Sequence, residues 1–163
     1  LMKNEATIMD FQIHALPADD FIHLFGLTDD ALAMHGARRV FADSSPGYPC
    51  RISLRDAEIN QPLILVNFVH HVQNTPYRSS HAVVVIENVA QSFPDKNEVP
   101  DVLRRRLLSV RGFNTAQDMV DADVVNGSDL EIAIHNLFSN PGIAFIHVHN
   151  AKQGCYAARI TRT

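Results

Sequence analysis

Two apolar runs, PLILVNFVHH and HAVVVIEN, flank the polar loop VQNTPYRSS near the middle of the chain. The first is almost unbroken, the pattern of a strand buried on both faces, and the second returns beside it as a wide hairpin. Shorter alternating stretches predict further strands at FQIHAL, ARRVFAD, CRISLR, MVDADVV, IAFIHVHN and CYAARIT. Helical spacing and end signals predict four helices. The first opens at Pro17, carries Phe21, Leu24 and Phe25 on one face, and closes at Gly26. Thr28 caps the second, TDDALAMHG, which Gly36 stops. Pro100 opens the third through DVLRRRLLSVRG, with Leu103, Leu107 and Val110 as its inner stripe. Ser128 and Glu131 form a capping box for the fourth, SDLEIAIHNLF, whose Leu130, Ile134, Leu137 and Phe138 recur at helical intervals. About eight strands and four helices that do not strictly alternate predict an α+β fold. The expectation is one domain over residues 11–163, with helices packed on one side of a mixed or mostly antiparallel sheet. Residues 1–10 read as an N-terminal extension.

Composition narrows the partners. The chain has 163 residues, 46% hydrophobic and 20% charged, enough to bury a single sizeable core. A net charge of −4 gives no basic field for nucleic acid or for an anionic membrane surface, so neither partner is expected. No apolar run reaches the length of about eighteen residues that a membrane helix needs. The opening LMKNEATIMDFQIHALP lacks a secretory h-region, so a cytoplasmic location is expected. Cys50 and Cys155 make neither a CxxC pair nor a disulfide framework. Each reads as a small buried hydrophobe, with a nucleophilic thiol as the alternative.

Strand parity sorts the chemistry. In FIHVHN, Phe145, His147 and His149 project from one face, and Ile146 and Val148 from the other. In CRISLR the same rule groups Arg51, Ser53 and Arg55, and in MVDADVV it groups Asp121 and Asp123. Arginine, histidine and asparagine form directed hydrogen bonds, so a face furnished with them suits a lined cleft better than a merely wetted surface. The leading expectation is a cleft for an anionic small molecule, such as a phosphorylated or carboxylated metabolite. Arg51 and Arg78 would hold its charge, Ser79, Asn150 and Lys152 would orient it, and His81, His147 and His149 would handle protons.

Plainer readings stand beside these: Arg78 bracing its own loop, Lys152 in water at a turn, the histidines hydrogen-bonded on a half-buried strand. One alternative is a metal-dependent enzyme centred on His147 and His149, completed from His70, His71, His81 and Asp121 or Asp123. No HExxH-type spacing, P-loop, GxGxxG or GxSxG occurs, so no metal and no cofactor is assigned. Another alternative is a non-catalytic module whose polar face meets a protein partner or a second copy of the chain, giving a homodimer.

Taken together, GYPCRISLRDAE, NTPYRSSHAVVV, VPDVLRRRLLSVRGF, MVDADVV and HVHNAKQGCYAARI resemble a bacterial family described only as a domain of unknown function (number 1203). The resemblance runs from about Phe11 to Arg162. It implies a single-domain bacterial protein and brings no activity, cofactor or catalytic residue with it.

Overall fold

The computed structural model describes residues 9–163; most of the expected N-terminal extension, residues 1–8, lies outside them. Among these residues eight strands form two antiparallel sheets rather than one. The larger sheet has the order β1 (Phe11–His14), β8 (Tyr156–Arg162), β7 (Phe145–Asn150), β5 (Leu107–Phe113), β6 (Met119–Asn126). The smaller has the order β2 (Arg38–Phe41), β3 (Pro62–His71), β4 (Ser79–Val85). Among the described residues there are three α-helices, not four: α1 (Asp29–Met34), α2 (Asp101–Arg104) and α3 (Leu130–Phe138). No helix among the described residues is long and apolar enough to cross a membrane.

The amphipathic α3 explains one face of the large sheet. Its Leu130, Ala133, Ile134, Leu137 and Phe138 pack with Leu108, Val110, Ile146, Val148, Ala158 and Ile160 in one buried cluster. Every second position of β5 and β7 is thereby consumed, and the remaining positions must face the other way. A second core fills the space between the sheets, where Phe21, Leu24 and Leu32 meet Ile64, Val66, Val83, Val85 and Tyr156. Leu63 and Val84, on the far side of the small sheet, pack with Ala42 and Ala57. The first half of β3 is therefore buried on both faces as its pattern predicts, and its hairpin with β4 forms; Asn67 and Val69 further along are exposed.

Four local expectations need correction. CRISLR is a turn, because Leu54 N–H donates to Cys50 C=O and Leu54 takes a φ of 54°, ending any extended run. The helix expected from Pro17 is two 3₁₀ turns, Ala18–Asp20 and Ile22–Leu24. The helix expected through DVLRRRLLSVRG stops at Arg104, and LLSVRGF becomes β5, paired on both edges by β6 and β7. Two ladders of sheet hydrogen bonds outweigh the modest helix propensity of that stretch. Gly127 supports this ending: its N–H donates to Arg106 C=O at 2.7 Å, and a Cβ there would stand 1.9 Å from Leu103 C=O. The Ser128–Glu131 capping box does not form either. Ser128 lies inside a 3₁₀ turn, Asp129 is the N-cap of α3, and Glu131 pairs with Arg104 at 2.8 Å. Thr28 does cap α1, accepting from Ala31 N–H at 3.2 Å.

Candidate functional site

The face of the large sheet turned away from α3 is built in rows by strand register. Ser109, His149 and Tyr156 stand side by side on β5, β7 and β8; Arg111, His147 and Arg159 form the next row. Phe113 and Phe145 stack below at 5.2 Å between ring centroids. His70, His71 and His81 approach this surface from the small sheet. A β-bulge delivers two of them, since β3 carries an extra residue where Val69 pairs with Ser80 but His71 pairs with Ser79. Consecutive strand residues normally point to opposite faces, yet the rings of His70 and His71 lie 5.8 and 5.7 Å from that of His147.

Five imidazoles are thus gathered, and their hydrogen bonds fix part of their chemistry. His70 Nε2 lies 2.7 Å from His81 Nδ1 and 3.3 Å from Ser79 Oγ. His149 Nδ1 lies 2.9 Å from Gly154 C=O, which can only accept, so Nδ1 carries the proton and Nε2 the lone pair. Arg111 Nη1 stands 3.5 Å from that Nε2, and its Nε donates to Ser109 Oγ at 3.2 Å. His71 Nε2 donates to Gln117 C=O at 2.9 Å. His70 Nδ1 and His147 Nδ1 are buried without partners.

Burial disfavours the imidazolium form of His70, His81, His147 and His149, and neighbouring cationic groups add to the effect. It lowers His147 to about 2, with His70 and His149 contributing next. His149 falls to about 3, burial outweighing the support of the Gly154 carbonyl. His70 falls to about 4 through burial and then His81, and His81 is lowered by burial and Arg111. Burial also pushes the Tyr156 hydroxyl well above the usual phenol range. His70, His147 and His149 are neutral at pH 7, each able to offer an unprotonated nitrogen. Ring nitrogens of His70, His81 and His149 lie within 4.8 Å of one another.

A hollow of about 310 Å³ borders the cluster, lined by Tyr48, Arg51, His81, Arg106, Asn150 and Cys155 among others. A neighbouring one of about 270 Å³ shares Arg106 and Asn150 and adds Arg105 and Lys152. Three of the residues expected to form a cleft, Arg51, His81 and Asn150, therefore meet in one cavity, and Lys152 sits next door. Arg51 is only 3% exposed. It donates to Tyr156 C=O at 2.7 Å, to Pro49 C=O, and to Cys155 Sγ at 3.0 Å. Ser79 reaches the cluster through His70. Arg78 is exposed and donates to Val72 C=O, bracing its loop.

The chain matches a family model over residues 47–162, a span that includes all five clustered histidines, the bulge and every residue lining the larger hollow. It belongs to the family described as protein of unknown function (DUF1203). No curated protein and no solved structure matches it.

In this DUF1203 chain, the two aspartates expected as possible ligands lie away from the histidines, and one neighbouring arginine was not expected there. Asp121 and Asp123 pair with Gly112 and Val110, on the α3 side of the sheet, and accept from the next residue's N–H at 2.8 Å. They lie on the face opposite the histidines. Arg111 was hidden inside the expected third helix; the alternation of LLSVRGF, with Leu108 and Val110 inward, would have placed it beside His147. The ring nitrogens that converge are those of His70, His81 and His149; His147, expected with His149 at the centre of a ligand set, is not among them.

Proposed function

We propose that this DUF1203 chain binds a small anionic molecule, a carboxylate or a phosphate, in the hollow bordered by residues 47–49, the start of β4 and the turn 150–155. The observation that carries this reading is Arg51. Its guanidinium is buried, and among the described residues no carboxylate lies within ion-pairing distance of it. A buried cation without a counter-charge is costly, and an anion entering the hollow would supply one. Three of its five N–H groups are engaged, which leaves donors for a ligand. Asn150, 4% exposed, has its Oδ1 buried without a partner at the same wall, suited to a ligand hydroxyl or amide donor. Arg106 adds no free charge, being paired to Asp56 at 2.5 Å. Lys152 lines the adjoining hollow and would attract an anion rather than hold it.

A proton-handling role for His81, His147 and His149 belongs to the same proposal, with His81 nearest the ligand because it lines the hollow. Arg78 takes no part in it.

Binding is tested by isothermal titration and thermal shift with inorganic phosphate and with small mono- and dicarboxylates. The decisive variant is Asn150→Asp, which keeps the side-chain shape and gives the hollow a resident negative charge. Wild type is expected to bind at least one of these anions and Asn150→Asp at least about tenfold more weakly. Equal binding by both proteins, or none by wild type across the series, would falsify the reading.

A further inference from the structure

We propose that His70, His81 and His149 form a three-imidazole site for one divalent transition metal ion of the zinc class. This goes beyond the anion reading and rests on a different observation, the convergence of three ring nitrogens. His81 is the only one of the three that also lines the anion hollow.

The geometry favours a metal over a simple hydrogen-bonded cluster in three ways. First, the spacing fits. Imidazole nitrogens about 2.0–2.1 Å from a tetrahedral zinc ion stand about 3.3 Å apart. The 2.7 Å separation of His70 Nε2 from His81 Nδ1 and the 4.8 Å limit for the three-residue set bracket that value. Ring rotations of less than about 1 Å at the nitrogens would equalise them. Second, His149 is oriented as metal-ligating histidines are. Its Nδ1–H is held by the Gly154 carbonyl, which aims the Nε2 lone pair into the cluster. Third, the rings are placed by rigid strands and by a bulge, a device that re-aims side chains near functional sites. Three neutral nitrogens leave a fourth position open, the arrangement of a catalytic rather than a structural zinc centre. Nitrogen donors without carboxylates select zinc, copper, nickel or iron over magnesium and calcium.

One group opposes the ion. Arg111 Nη1 lies 3.5 Å from His149 Nε2, on the side the metal would occupy. Its guanidinium must swing away, keeping Ser109 as a partner, before an ion can sit there. Removing that charge should therefore tighten metal binding, whereas a hydrogen-bonded cluster without a metal role would show no such gain.

The probe is cobalt(II), added to protein stripped with a chelator, and read by its visible d–d absorption and by metal content after gel filtration. Expected results are one ion per chain and a tetrahedral or five-coordinate spectrum. His81→Ala should weaken binding by about 100-fold or more, since even second-shell losses cost 10–100-fold. His81 is only partly buried, so this variant is expected to fold even if the one at fully buried His149 does not. Arg111→Met should bind cobalt more tightly than wild type. His35→Ala, whose ring packs on His23 outside the cluster, should bind as wild type does. Failure to bind cobalt in stoichiometric amount, or binding that His81→Ala leaves intact, overturns the proposal. Anion titrations on the metal-free protein report separately: phosphate or carboxylate binding without cobalt binding removes the metal site alone. The reverse result removes the anion reading alone.

Discussion

Arg51 Nη2 stands 3.0 Å from Cys155 Sγ, so two residues 104 positions apart share a hydrogen bond at the wall of the hollow. Asn150 Nδ2 approaches the same sulfur at 3.5 Å. Reactive thiols sit in partly exposed, electropositive surroundings, and Cys155 has both qualities, while Cys50 is buried. Folded protein exposed to iodoacetamide is therefore expected to be alkylated at Cys155 and not at Cys50, as peptide mass mapping would show. Arg51→Met should slow the reaction several-fold. Equal labelling of the two cysteines would mean that the sulfur is not singled out by its neighbours.

Acid should destabilise the metal-free protein earlier than its carboxylates alone would predict. His147 and His149 stay neutral in the fold down to about 2 and about 3, whereas in the unfolded chain they protonate near 6.5. A depressed folded-state pKa means that the unfolded state binds more protons below pH 6.5. The stabilisation is thus complete above that pH and is lost as pH falls toward the folded values. At pH 5 each such histidine costs about 2 kcal/mol, so urea unfolding should show a loss of about 2–4 kcal/mol between pH 7 and 5. His147→Gln should flatten the curve. A wild-type stability independent of pH across that range would contradict the buried, neutral state of these rings.

Residue pattern revealed the parts of the fold that rest on one dominant period. The apolar β3, the alternation of FIHVHN and the stripe of α3 all predicted their elements because one face of each is wholly consumed by the core. Parity along β7 correctly set Phe145, His147 and His149 against Ile146 and Val148. What stayed hidden was decided by partners far along the chain. LLSVRGF is apolar at both helical and strand spacing, and only its two neighbouring strands settle the choice. The division into two sheets leaves no trace in any single strand. The bulge after Val69 moves His70 and His71 to the same side, which strict alternation forbids, so the sequence could name His70, His71 and His81 as companions of His147 and His149 but could not single out the trio His70, His81 and His149. Arg51 reaches the hollow from a turn, whereas strand parity had placed it on an extended run.

Gly154 offers a way to disturb the cluster without touching a histidine. Its φ of +76° lies in the left-handed region, and nothing stands within 4 Å of where a Cβ would be. Substitution by alanine thus costs backbone strain alone, about 1–2 kcal/mol, with no clash to unfold the protein. The strain falls on the residue whose carbonyl holds His149 Nδ1 at 2.9 Å. Relief by rotation of that peptide would release the ring, free its tautomer and blur the aim of Nε2. Gly154→Ala is therefore expected to lose about 1–2 kcal/mol in urea unfolding and to bind cobalt about 10–100-fold more weakly than wild type. Gly36→Ala is the matched control, because Gly36 has a φ of +67° with equally open space but ends α1, away from the histidines. It should show a similar stability loss with cobalt affinity unchanged. If both variants weakened cobalt equally, the effect would be one of global stability, and the Gly154 carbonyl would have no part in orienting His149.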